Sequence, residues 1–157
     1  MAALGNESGL LEAVDGVQFK EFQAAIDKNG EGYGWKAHKV VTEDGYILHM
    51  FRLTTDGNGE PIESTKGPVY LQHGLRGNAA DWFNCKNPED VDASTDCTLA
   101  LELSKKGYDV WLGNTRGGNF SLGHTKLDRK DYWDFDWAEL GMYDIPSMVD
   151  HVYQSTG

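Results

Sequence analysis

Between Gly67 and Gly77 the chain reads Gly-Pro-Val-Tyr-Leu-Gln-His-Gly-Leu-Arg-Gly. The apolar run Val69-Tyr70-Leu71 is too short for a helix and is bounded by Gly-Pro on one side and His73-Gly74 on the other. That pattern predicts a buried strand with an abrupt end. A glycine directly after His73 permits a sharp turn, because it has no Cβ to clash. A backbone N–H released at such a turn has no ladder partner and can face a ligand. A donor fixed in place before charge develops is what an oxyanion hole requires.

The flanking segments set this strand in a mixed sheet. Upstream, Lys39–Thr42 and Tyr46–Leu53 read as strands joined by Asp44-Gly45, a strong short hairpin signal. Downstream, Thr95–Lys106 reads as a helix capped by Thr95 or Asp96 and stopped by Gly107, and Tyr108–Leu112 as a second strand. Residues 114–130 read as a polar loop and 137–153 as a helix striped with Leu140, Tyr143, Met148 and Val152, with Pro146 as a kink. Before residue 33, Leu10, Leu11, Val14, Phe22 and Ile26 suggest one or two short helices broken near Gly16. Strand and helix alternating after residue 67 indicate βαβ units and a parallel sheet following an antiparallel hairpin. The fold class is α/β.

Four segments in order resemble the acid lipase family of α/β-hydrolases, which includes gastric and lysosomal acid lipases and steryl-ester hydrolases. They are Thr42-Glu-Asp-Gly-Tyr-Ile-Leu48, Pro68 to Gly77, Gly107-Tyr-Asp-Val-Trp-Leu-Gly-Asn-Thr-Arg-Gly117 and Tyr143-Asp-Ile-Pro146. The resemblance implies an N-terminal extension over residues 1–32 and the N-terminal portion of an α/β-hydrolase domain over residues 33–157. It places an oxyanion-hole backbone N–H at Leu75, after His73-Gly74. His73 is expected to be structural, since the family's general base lies elsewhere. Arg116 is expected to pair with a carboxylate on the next helix, Asp144 or Glu139, and to tie loop to helix. The aromatic run from Tyr132 to Trp137 is expected to pack in the ordinary way. No cofactor or metal is implied, and His38, His49, His124 and His151 show no metal-ligand spacing.

The nucleophile elbow G-x-S-x-G is not found in the sequence; Ser121 and Ser155 lack its first glycine. The chain by itself is therefore expected to be inactive. The reading is the N-terminal section of a lipase acting on lipid esters, a triacylglycerol or steryl ester, completed by a C-terminal part carrying Ser, Asp and His. The alternative is a non-catalytic subunit that retains half a hydrolase fold within a larger assembly. With 14 basic against 25 acidic residues, net charge −11, nucleic acid is disfavoured as a partner. No stretch is long and apolar enough to span a membrane. No signal peptide is visible, and the compartment stays open. Cys85 and Cys97 either close a small loop or remain reduced thiols. The sequons at Asn6 and Asn119 decide little.

Overall fold

The predicted reversal at Asp44-Gly45 organises the first half of the chain in the computed structural model, which describes residues 13–14, 17–30, 32–83 and 98–157. Strand β3 (Gly34–Val41) turns back onto β4 (Tyr46–Thr55) in antiparallel register, with Val41 opposite Ile47 and Ala37 opposite Phe51. The Gly45 N–H donates to Thr42 O at 2.9 Å, and Gly45 has φ 97°, a conformation that disfavours any side chain. The hairpin starts at Gly34, not at Lys39, because Trp35 and Ala37 also bury against the core.

Ahead of the hairpin, β1 (Ala13–Val14) pairs with β2 (Val17–Gln18), and α1 (Lys20–Asn29) follows. The helical spacing of Phe22 and Ile26 is borne out, but Val14 is in a strand. The residues between Val14 and Val17 are again Asp-Gly, and β-branched valines flank them, a hairpin signal that outweighs a loose helical period. Leu10, Leu11 and Gly16 lie outside the described residues.

A parallel unit follows. Strand β5 (Pro68–Gln72) leads through a 3₁₀ turn (Ala79–Phe83) to α2 (Leu99–Lys105) and β6 (Asp109–Gly113), with Val69 opposite Val110 and Leu71 opposite Leu112. Gly107, at φ 85°, ends α2 as a C′ glycine, and the Tyr108 N–H reaches back to Leu103 O at 3.1 Å. The predicted caps Thr95 and Asp96, and both cysteines, lie outside the described residues. The sheet order is β3-β4-β6-β5, and β7 (Gly123–His124) pairs with the start of β4. Strand β7 falls where a plain loop was expected. It is two residues long and carries no local signal; Gly123 pairs with Ile47, where an added Cβ would crowd the Ile47 side chain.

Side-chain alternation divides the core between the two faces of the sheet. Phe51 and Leu53 of β4, Val110 and Leu112 of β6, and Trp35 of β3 bury against Phe22 and Ile26 of α1 and Leu101 of α2. Leu48 and Met50 of β4 and Trp111 of β6 turn to the other face, where Met148 and Val152 cover them. Those two residues belong to α4 (Ile145–Thr156), which is preceded by α3 (Trp137–Glu139) and a π turn (Leu140–Asp144). Pro146 thus starts α4, where its missing N–H is tolerated. The wide π turn shifts the buried stripe, so that Asp144, Met148 and Val152 face inward while Leu140 and Tyr143 are only half-buried.

Strand β5 was expected to be buried, yet Val69, Tyr70 and Leu71 are half-buried. Among the described residues β6 is its only strand partner, and no described strand pairs with its other edge.

Candidate functional site

At the end of β5 the chain folds into a four-residue turn. The Gly77 N–H donates to Gly74 O at 3.1 Å, and Arg76 sits at φ 61°. A positive φ at the third residue of a turn favours Gly or Asn, so Arg76 is held there against its preference. Gly74 has no positive φ, and a Cβ added to it would meet open space. The turn therefore does not rest on Gly74, contrary to expectation. At Gly77 a Cβ would press on the Asp81 carboxylate, whose side chain would have to shift to make room. Leu75 occupies the outer corner, 72% exposed, and no described group accepts its N–H.

His73 connects this turn to the end of β6. Its Nδ1 lies 2.8 Å from Gly74 O, and its Nε2 lies 3.3 Å from the Thr115 N. The preceding residue, Asn114, is fully buried and acts as a second fastener. Its Oδ1 accepts the Ala79 N–H at 2.9 Å, and its Nδ2 donates to His49 O at 2.9 Å. The loop after β5 is thereby attached to the ends of β6 and β4. Nothing in the local sequence announces Asn114 or Thr115 as partners of residues 35, 42 and 65 positions earlier.

Arg116 follows directly and is 3% exposed. Its Nε donates to Asp144 Oδ1 at 2.8 Å, and its backbone N–H donates to Asp144 Oδ2 at 2.8 Å. Asp144 is therefore the helix partner. Glu139 instead accepts the Asp136 N–H at 2.8 Å and completes a capping box at the start of α3. The sequence reading missed a second carboxylate, Asp44, which accepts Arg116 Nη1 at 2.6 Å and Nη2 at 2.9 Å. The guanidinium also lies 3.7 Å over the Tyr46 ring. Asp44 is also part of the hairpin turn, where its carboxylate takes the Thr42 hydroxyl, and that local role masks the distant one in the sequence.

The charges are arranged around that one cation. Burial pushes the Asp144 carboxyl above its ordinary value, against the pull of the hydrogen bonds from Arg116. Burial acts the same way on Asp44, but hydrogen bonds from Arg116 and Thr42 outweigh it and leave that carboxyl below its ordinary value. Burial alone would lower the Arg116 guanidinium; its bonds to Asp44 and Asp144 raise it instead. A buried cation held by two carboxylates is suited to fastening hairpin, β6 and helix together, and each of its three nitrogens contacts one of those carboxylates.

The aromatic run is split. Tyr132 is buried, with its hydroxyl donating to Ser121 O at 2.6 Å and accepting the Gly117 N–H at 2.9 Å. Trp133 and Trp137 are more than half exposed, so ordinary packing describes only part of the run. Neither of two clefts, of about 670 and 460 Å³, is lined by residues 73–77. Among the described residues, no cluster of three or more His, Cys, Asp or Glu is placed to hold a metal ion.

A family model described as a partial α/β-hydrolase lipase region matches residues 27–86, from the end of α1 through the hairpin to the turn at Leu75 and beyond. The chain carries an α/β-hydrolase lipase region. It is 42% identical over 137 residues to Lipase 1 of Drosophila melanogaster, covering 85% of this chain and 28% of that protein. It is 40% identical over 128 residues to Lipase member K of Mus musculus, and 37% identical over 128 residues to the gastric triacylglycerol lipase of Bos taurus. Each of the latter two covers 80% of this chain and is itself covered to 30%. The chain thus spans less than a third of the length of these relatives. The mixed open sheet, antiparallel hairpin first and parallel strands after, fits the lipase region. Among the described residues, no helix is long and apolar enough to cross a membrane.

Proposed function

We propose that this chain is the N-terminal section of a lipase that cleaves carboxylic esters of lipids, triacylglycerols or steryl esters, through an acyl-serine intermediate. Ser, His and an acid come from a C-terminal part of the same protein or from a complementary chain. The Leu75 N–H donates to the tetrahedral oxyanion. His73, bonded to the Gly74 carbonyl, and Arg116 with Asp144 support it by holding the loop and the helix behind it. The observation that carries the reading is the Leu75 N–H, without a described acceptor on an exposed residue, at the turn ending β5 inside the matched lipase region. Relatives named as triacylglycerol lipases support the substrate class.

The edge of β5 that no described strand pairs with supports a complementary segment. It equally suits a non-catalytic subunit of a larger assembly, and turnover separates the two. In the full-length protein, Leu75→Pro removes the N–H, and losing one oxyanion donor costs ~10²–10³ in kcat. Leu75→Ala leaves the N–H in place and is expected to be mild. A Leu75→Pro variant that melts like the parent and keeps its kcat on a short soluble ester refutes the assignment.

A further inference from the structure

His73 is engaged at both ring nitrogens, and the partners dictate its proton. Gly74 O can only accept and the Thr115 N–H can only donate. The ring therefore carries its proton on Nδ1, 2.8 Å from Gly74 O, and offers the Nε2 lone pair to the Thr115 N–H at 3.3 Å. Gly74 O also takes the Gly77 N–H at 3.1 Å, so both of its lone pairs are in use. The described chain holds no cis peptide bond. In a trans peptide the carbonyl and the following N–H share a plane and point in opposite directions. Fixing the Gly74 carbonyl thus fixes the direction of the Leu75 N–H. Two hydrogen bonds to that carbonyl also polarise the peptide and strengthen its N–H as a donor. The other end of the staple is rigid, since Thr115 lies between the buried Asn114 and Arg116.

We propose that His73 is a positioning residue for ester cleavage: through the Gly74–Leu75 peptide it aims the Leu75 N–H from an anchor at the end of β6. This rests on the reading of Leu75 as the oxyanion donor. His73 does not touch the substrate. Its action differs from space-filling because it depends on a donor at the Nδ1 position.

Variants of the full-length protein test it on a soluble short-chain ester. His73→Ala is expected to lower kcat by ~10- to 10²-fold, the scale of a misplaced catalytic group, with KM within about twofold. His73→Asn places an amide N–H near the Nδ1 position and is expected to restore most of that loss. His73→Gln places an acceptor near Nε2 and is not. Two-bond nitrogen–proton couplings in protein labelled with ¹⁵N-histidine are expected to show the proton on Nδ1. The proposal is overturned if His73→Ala keeps kcat where Leu75→Pro loses it, if Gln restores and Asn does not, or if the proton is on Nε2. If Leu75→Pro is harmless, the donor assignment fails and this inference falls with it. A sound donor with an idle His73 is a distinct outcome that removes only the inference.

Discussion

Arg116 offers the sharpest test of how the region is held together. Truncation to Ala removes a side chain with no solvent exposure, the Nε and Nη2 contacts to Asp144 at 2.8 and 2.7 Å, and both contacts to Asp44. Asp144, itself fully buried, keeps only the Arg116 backbone N–H at 2.8 Å. Leaving a buried carboxylate unpaired costs about 3–5 kcal/mol. The lost contact with Tyr46 adds about 1–2 kcal/mol, since the site is dry. Asp44, partly open to water, adds little. Proton uptake by Asp144 limits the total, so about 3–5 kcal/mol is expected near neutral pH. That limit gives the effect a sign in pH. Without the Arg116 side chain, burial, aided by the Asp44 charge and opposed only by the Arg116 backbone N–H, holds the Asp144 folded-state value above the unfolded one. The protonated form then carries the stability, which is present at low pH and lost as pH rises through the folded value. The deficit of Arg116→Ala is therefore expected to shrink as pH falls from 7 toward 5. Urea unfolding of the full-length protein, followed by near-UV circular dichroism, measures it. In a double-mutant cycle, adding Asp144→Asn is expected to recover about 1–3 kcal/mol relative to the sum of the single changes. A loss below about 1 kcal/mol that is flat with pH, or additive single changes, refutes a structural ion pair. Normal melting with lost turnover instead makes Arg116 catalytic.

Two other outcomes follow from the same packing. The His38 ring lies tilted against Trp111, centroids 4.6 Å apart, with its Nδ1 3.1 Å from His151 Nε2; burial first, then His151, Lys36 and Arg52, lower it to about 4, opposed by Asp109. A depressed histidine stabilises the fold above its unfolded value near 6.5 and loses that contribution as pH falls toward 4; after discounting for partial exposure, His38→Phe is expected to remove about 1–2 kcal/mol of acid sensitivity in urea melts between those limits, and an unchanged pH slope argues against it. Expressed alone, the 157-residue chain is expected to associate, because no described strand pairs with the second edge of β5 and Trp137, Met142, Val149 and Tyr153 are exposed on the helix; a monodisperse, cooperatively folded monomer by sizing chromatography and near-UV circular dichroism contradicts this.

Much of this molecule follows from residues close together in the chain. The Asp44-Gly45 hairpin, the Gly107 helix stop, the strands at Val69 and Tyr108 and the location of Leu75 after a strand depend on local preferences and short periods, and each is legible in the sequence. Even the pairing of Arg116 with the following helix could be anticipated from charge, though not the choice of Asp144 over Glu139. That choice was made by the π turn at Leu140–Asp144, which rotates Asp144 inward, while Glu139 is taken up by the capping box. The remaining features depend on distances no local pattern encodes. Asp44 joins Arg116 across 72 positions, Thr115 meets His73 across 42, and His38 meets His151 across 113. A sheet brings such residues together only once strand order and register are set, and those depend on the whole core. The sequence by itself therefore located the candidate donor at Leu75. Only the tertiary structure decided what holds it: the carbonyl behind it bound to His73, and His73 bound to the end of β6.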